Sequence, residues 1–435
     1  MKNRKLYKTA KSSGLVSLRR NNSGWVISMI ISMFICQESN AQVVNQGDIK
    51  INDGTLMSVY FDYQNKVGGN FINDGEVYIF ENWNNEGIIS YTNSANGTTL
   101  FTGTTEQIIE GTHQSDFQNI VFNNKSSTVP FHLATIISVG KMADFTKGII
   151  NADTYNGLMI FNENAFHKNV SSQSFVDGRV ENNVDQPFQF PIGDALFFRP
   201  TLYTSNSADK TAYTSQYFYK SASNPYPFES KDESIITINN AEYWTVTQEK
   251  GTEKIILSLT LDANTTPAAF FESDPETELA IVRWDAVAAK WVNEGGILSE
   301  PVFGEAYSNL LTGEVGGYGT FTMAIVKKEV VPTDDLIVYN AISPNGDGIN
   351  DTFHIKGINK YPNNTVEVYN RWGVKVYEAK SYNESDVMFS GYSDGRATVN
   401  RTDKLPTGTY FYTLKYNNNN GKTEKKAGYL YLNNQ

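Results

Sequence analysis

Only one cysteine, Cys36, occurs in 435 residues, and the four histidines, His113, His132, His167 and His354, show no metal-ligand spacing. A disulfide framework is therefore excluded, and so is a thiolate zinc site. Charge is also scarce. Lys, Arg, Asp and Glu make up 19% of the chain, and acids outnumber bases to give a formal charge of −11. Such a chain repels phosphate backbones, which excludes nucleic acid as a partner. GxSxG, HExxH and glycine-rich phosphate loops are missing, so no catalytic activity and no organic cofactor are expected. No apolar run reaches the roughly eighteen residues that a spanning helix needs.

What the chain has in quantity is aromatic and small polar residues, with 25 Tyr, 25 Phe and 33 Gly. Aromatics and Thr favour strands, while Gly and Asn favour the turns between them, so the expected class is all-β. The first 41 residues read as a signal peptide. Lys2, Arg4, Lys5, Lys8, Lys11, Arg19 and Arg20 form a basic region ahead of an apolar core, Trp25 to Cys36. Ser39-Asn40-Ala41 then offers small residues for cleavage before Gln42. Cys36 follows the bulky Ile35, which argues against lipidation.

Residues 42–168 carry a repeat. Ile51-Asn52-Asp53-Gly54 recurs as Ile72-Asn73-Asp74-Gly75, and Asn84-Asn85-Glu86-Gly87 is a looser copy. A period near twenty suits the rungs of a β-solenoid. Asp-Gly turns between alternating strands suit a meander or sandwich equally well. Residues 169–328 alternate with period two between Gly, Pro and Asn breaks, as in a β-sandwich. Within them lies Phe190-Pro191-Ile192-Gly193-Asp194, followed by Phe198-Arg199-Pro200. Residues 329–335 are charged, contain Pro332 and read as a linker. Residues 336–435 divide into seven short strands, including Val387–Phe389. Tyr410, Tyr412, Leu414 and Tyr416 share one face, which suits an immunoglobulin-like sandwich.

The last hundred residues carry the most specific motifs. Ser343 is followed by Pro344, Asn345, Gly346, Asp347, Gly348, Ile349, Asn350 and Asp351. Arg371, Trp372 and Gly373 come next, then Leu405-Pro406-Thr407-Gly408-Thr409-Tyr410. This stretch resembles the gliding-motility-associated C-terminal domain, the type B sorting signal of type IX secretion. Two details depart from that pattern: Phe389-Ser390-Gly391 stands where a Trp-Gly step is usual, and no basic terminus follows Leu432.

The resemblance implies cargo of the type IX machinery, with an outer-membrane partner. It implies a secreted or outer-membrane-associated protein on the surface of a Gram-negative bacterium. Pro344, Asn345, Gly346, Asp347, Gly348, Asn350, Asp351, Arg371, Trp372, Gly373, Pro406, Gly408 and Tyr410 are then the sorting-motif residues. Trp372 is expected to plug one end of its own sandwich.

Asn345, Asp347 and Asp351 also offer oxygen ligands for calcium, although an EF-hand frame would place His354 at its twelfth position. The upstream β-regions are expected to act as an adhesin or structural element, with surface glycans or other adhesion targets as partners. Such cargo should lack strongly shifted carboxylates. The alternatives are a carbohydrate-binding module, with Trp83, Trp244, Trp284 and Trp291 as a stacking platform, or a polysaccharide hydrolase.

Overall fold

The computed structural model describes residues 41–93, 96–183, 187–205, 211–252, 254–299, 304–328, 336–393, 404–418 and 421–434. The signal-peptide assignment and the linker at 329–335 lie outside the described residues, apart from Ala41. Strands take up 53% and helix 2%, and the N-terminal region is a β-solenoid of about six turns.

Each early rung of the solenoid has three short strands. The first contains β1 (Gln42–Asn45), β2 (Asp48–Ile51) and β3 (Leu56–Val59). The second contains β4 (Asp62–Asn65), β5 (Asn70–Asn73) and β6 (Glu76–Ile79). The third contains β7 (Trp83–Asn85), β8 (Ile88–Ser90) and β9 (Thr98–Phe101). All stack in parallel on the equivalent strand of the next rung. The visible sequence repeat is one residue out of phase with this stacking, because Ile51 pairs with Asn73 rather than Ile72. Gly54 and Gly75 accordingly play different parts. Gly54 sits in open space at φ +71°, whereas a Cβ on Gly75 would overlap the carbonyls of Thr55 and Asn52.

One corner of the early rungs is held by a ladder of buried asparagines. Asn45 Nδ2 donates to Asn65 Oδ1 at 2.9 Å, and Asn65 Nδ2 donates to Asn85 Oδ1 at the same distance. Asn45 and Asn85 each accept the amide of the glycine two residues on, at 3.0 Å. The Asn-x-Gly spelling thus has a cause: the amide side chain caps its own turn and pairs with the next rung.

Beyond the third rung, two faces merge. Residues 115–123 and 136–147 are long strands that cover both, with register shifts near Phe117 and Asn119. Parallel pairing continues past residue 168, through 176–177 and 179–182 to 192–194. A boundary at 168 therefore falls among parallel rungs.

Phe190 to Pro200 forms the junction with the next module. Ile192–Asp194 is the last parallel rung strand, and it turns back as a hairpin onto Phe197–Phe198. Arg199 then enters the sandwich, 1% exposed. Its guanidinium donates to Asp262 (2.8 Å), Thr265 (2.9 Å) and the carbonyls of Phe198 (2.8 Å) and Ala306 (2.9 Å). A buried cation persists only when so fully paired. The solenoid sheet itself runs on without a break, because 179–182 pairs antiparallel with 212–218. That strand leads to 243–250, 319–327, 277–285 and 290–295. A second sheet of 188–189, 201–205, 255–261, 309–314 and 297–298 completes this central sandwich. One apolar cluster runs from Ile51 to Met323 across both modules.

The C-terminal module has a five-stranded sheet in the order 341–342, 423–432, 408–417, 364–369, 375–380, and a two-stranded sheet of 337–338 and 355–356. Tyr410, Tyr412, Leu414 and Tyr416 are all buried in its core, as their period predicts. The strand expected at 387–389 does not form. Phe389 is instead a fully buried core residue in an irregular segment.

Two changes test this account. Asn65→Ala removes the closer acceptor of the Asn45 amide and the donor to Asn85 Oδ1 and the Ile88 carbonyl. It should cost about 3 kcal/mol in urea unfolding, with faster hydrogen exchange confined to the first rungs. Asp177 lies in the last rungs, where burial, then the charges of Asp194 and Asp153, pushes its pKa from 3.8 to about 7. Between those two values the folded chain holds a proton that the unfolded chain releases, so this group lowers stability as pH rises from 3.8 to about 7. Asp177→Asn should match the parent near pH 4 in thermal melts, gain over it through that window, and hold a constant advantage above it.

Candidate functional site at one end of the C-terminal sandwich

The structure brings the three motifs of the last hundred residues to one end of the five-stranded sheet. Ile342 pairs with Leu432, Leu432 with Gly408, and Tyr369 with Phe411. The loop 343–351 leaves the first of these strands. The Pro406 turn enters the middle strand, and the turn 370–374 leaves the fourth.

The first loop is closed by its own side chains. Asp351 accepts the amides of Gly346 and Gly348, both at 2.8 Å, and both glycines sit at φ +83°. Asp347 accepts the Ile349 amide (2.7 Å) and Asn345 Nδ2 (2.9 Å), while Asn345 Oδ1 accepts the Asp347 amide at 3.0 Å. The Asn345 side chain and then the Ile349 amide hold the Asp347 carboxyl below the usual range. Asn350 adopts φ +55°, and its carbonyl takes the Ser343 amide at 2.7 Å. Pro344 is buried, and its carbonyl accepts Lys404 Nζ at 2.9 Å.

Each carboxylate oxygen of Asp347 and Asp351 thus accepts one N–H donor from within the loop. Among the described residues, no group of three His, Cys, Asp or Glu stands ready for a metal. What the loop presents outward is its ridge, with Ile349 67% exposed. The Pro406 turn is tied down beside it, since Tyr410 Oη donates to the Pro406 carbonyl at 2.8 Å.

The third motif behaves differently. Asn370 Oδ1 caps the turn by accepting the amides of Trp372 (2.9 Å) and Val374 (3.0 Å), and Arg371 lies over the indole at 4.7 Å. Trp372 does not plug its own sandwich. It packs on Leu202, Tyr307 and Leu310 of the central sandwich, and its carbonyl accepts Thr204 Oγ1 at 2.6 Å. Gly373, at φ +75°, lies so close to Thr204 that a Cβ would come within 2.7 Å of the hydroxyl. Glu314 strengthens the contact by pairing with Lys425 at 3.1 Å and Lys415 at 3.9 Å. One corner of the motif-bearing end is covered by the central sandwich, and the 343–351 ridge stays open.

Elsewhere, the tryptophan platform is not formed. Trp83, Trp244 and Trp291 are fully buried core residues, and only Trp284 keeps part of its surface. The expectation of unshifted carboxylates also fails, at Asp177 and at Glu242. Burial raises the Glu242 pKa, but the group is sealed in the sandwich core by Tyr217 (2.8 Å) and Thr266 (2.6 Å). Sequence reasoning missed the Arg199 anchor and the Thr204–Trp372 contact, because their partners lie far along the chain.

Residues 336–432 match the model of the CHU_C Type IX secretion signal domain. No curated protein matches the chain. The signal marks the chain as bacterial cargo of type IX secretion, secreted or displayed at the cell surface, and implies an interaction with that machinery.

Trp372→Ala should uncouple the two modules. Trypsin is expected to cut at Lys327 or Lys328 severalfold faster, and thermal unfolding should separate into two transitions while far-UV circular dichroism is unchanged.

Proposed function

We propose that the chain is a non-catalytic surface protein, an adhesin or structural element. In this reading it is held at the outer membrane of a Gram-negative cell through a partner of its sorting domain. The supporting observation is the unbroken sheet that carries the solenoid into the central sandwich through 179–182 and 212–218. It makes one stiff frame that holds side chains outward over a long surface. Tyr60, 62% exposed, stacks on Phe80 at 4.5 Å on that outer surface, the kind of flat apolar ledge that suits glycan or protein contacts.

The sorting domain supplies delivery in two parts: an exposed ridge at 345–350 for the machinery, and a Trp372 corner that joins the signal to its cargo. Protease shaving of intact cells tests this. The full chain should be cleaved from outside, and a chain ending at Lys328 should be protected. Equal accessibility of both forms would remove the sorting role, and surface display without any loss of cell attachment on deletion of the gene would remove the adhesive one.

A further inference from the structure

Among the described residues, the N-terminal end of the solenoid is an open one. Among the described residues, β1, β2 and β3 pair only with β4, β5 and β6, leaving three strand edges in a row with their other side unpaired. The core is open there as well. Tyr63, Phe71 and Val77 of the second rung are at most 1% exposed, whereas their counterparts Val43, Ile49 and Met57 are only partly buried. Exposed edges and an uncovered core end are what capping repeats exist to prevent.

We propose that a second copy of this chain covers this end, in a head-to-head dimer about a two-fold axis perpendicular to the solenoid. Such an axis reverses strand direction, so the new pairs are antiparallel. Passing through Ile49, it sets β2 against the partner's β2, and β1 against the partner's β3.

The first rung is self-complementary under that operation. In β2, Ile49 meets its own copy on the inner face, while outward Asp48 meets outward Lys50 of the other chain, opposite charges directly across the strands. For β1 on β3, inward Val43 meets Met57. Outward Val44 and Leu56, 44% and 59% exposed, come side by side, so each covers the other's exposed apolar surface. Strand order, charge and apolar surface all select the same axis. A parallel continuation would instead require an open C-terminal end, and that end is closed by the 192–198 hairpin and the antiparallel strand 212–218.

The test uses the full chain with Cys36→Ser, which removes the sole native thiol, and its processed form beginning at Gln42. Light scattering should give twice the chain mass for the processed form at micromolar concentration. Ile49→Cys, at the axis, should form an intermolecular disulfide under mild oxidation, while Val287→Cys, on a fully exposed turn of the sandwich, should not. Ile49→Lys should halve the mass and leave circular dichroism unchanged. A monomeric processed chain overturns the proposal, as does a dimer that survives Ile49→Lys or fails to cross-link at residue 49. If the full chain is monomeric with β1–β3 protected from hydrogen exchange, and the processed form is monomeric too, the leader is the cover and the proposal falls.

Discussion

The separation of neighbouring strands, about 4.8 Å, sets what this molecule can put inside itself. Aromatic rings make favourable contact at centroid distances near 4.5–7 Å, so rings at one position of successive rungs can touch. The chain uses that match repeatedly. Tyr63 is in register with Trp83, and their rings stack at 4.5 Å. Phe101 is in register with Phe122, and Phe122 with Phe145, at 6.1 and 5.8 Å. From Phe145 the column passes by way of the His167 ring to Phe161 and Phe188, then through Phe190 and Tyr203 to Tyr213, inside the central sandwich. Solenoid and sandwich share a core because they share this column. In the first three rungs the polar asparagine ladder runs beside these rings and links the same neighbours.

Much of this could be read before any coordinates. Alternation announced strands, and the Asn-Asp-Gly repeat suited rungs and hairpins alike, of which the structure forms the rungs. The repeat misled by one residue because glycine is needed at both turns for unrelated reasons, positive φ at Gly54 and close carbonyl approach at Gly75. The repeat is harder to follow after residue 115 because two faces fuse into single long strands, which deletes the turn that spelled it, and the rungs past residue 168 went unrecognised. The Phe190–Pro200 segment was visible as a motif, but its purpose was not. Arg199 finds Asp262, Thr265 and Ala306 only once the sandwich has folded. Trp372 posed the same problem across a module boundary. Nothing local says that a tryptophan in a tight turn will leave its own core for Leu202 and Tyr307.

Two ends of the chain are thereby given opposite characters. At the C-terminal module, the motif loops are rigid because carboxylates and amides close them internally, and one corner is fastened to the cargo by an indole, a hydroxyl and an ion pair. Recognition at such a site reads a fixed shape rather than an adaptable segment. At the other extreme, among the described residues, the first rung leaves edges and core side chains uncovered, which is the end the proposed dimer would close.

The direction of the solenoid's hydrogen bonds has a mechanical consequence. They run along its long axis from rung to rung, as do the asparagine contacts at 2.9 Å. A pull along that axis therefore loads the rung interfaces in series, and the weakest one gives first, whereas a sideways load spreads over many strands. The sandwich strands meet the same pull differently, each carrying several pairs in parallel. A molecule anchored through residues 336–432 and tugged at its far end would part first at its weakest rung interface and keep its base.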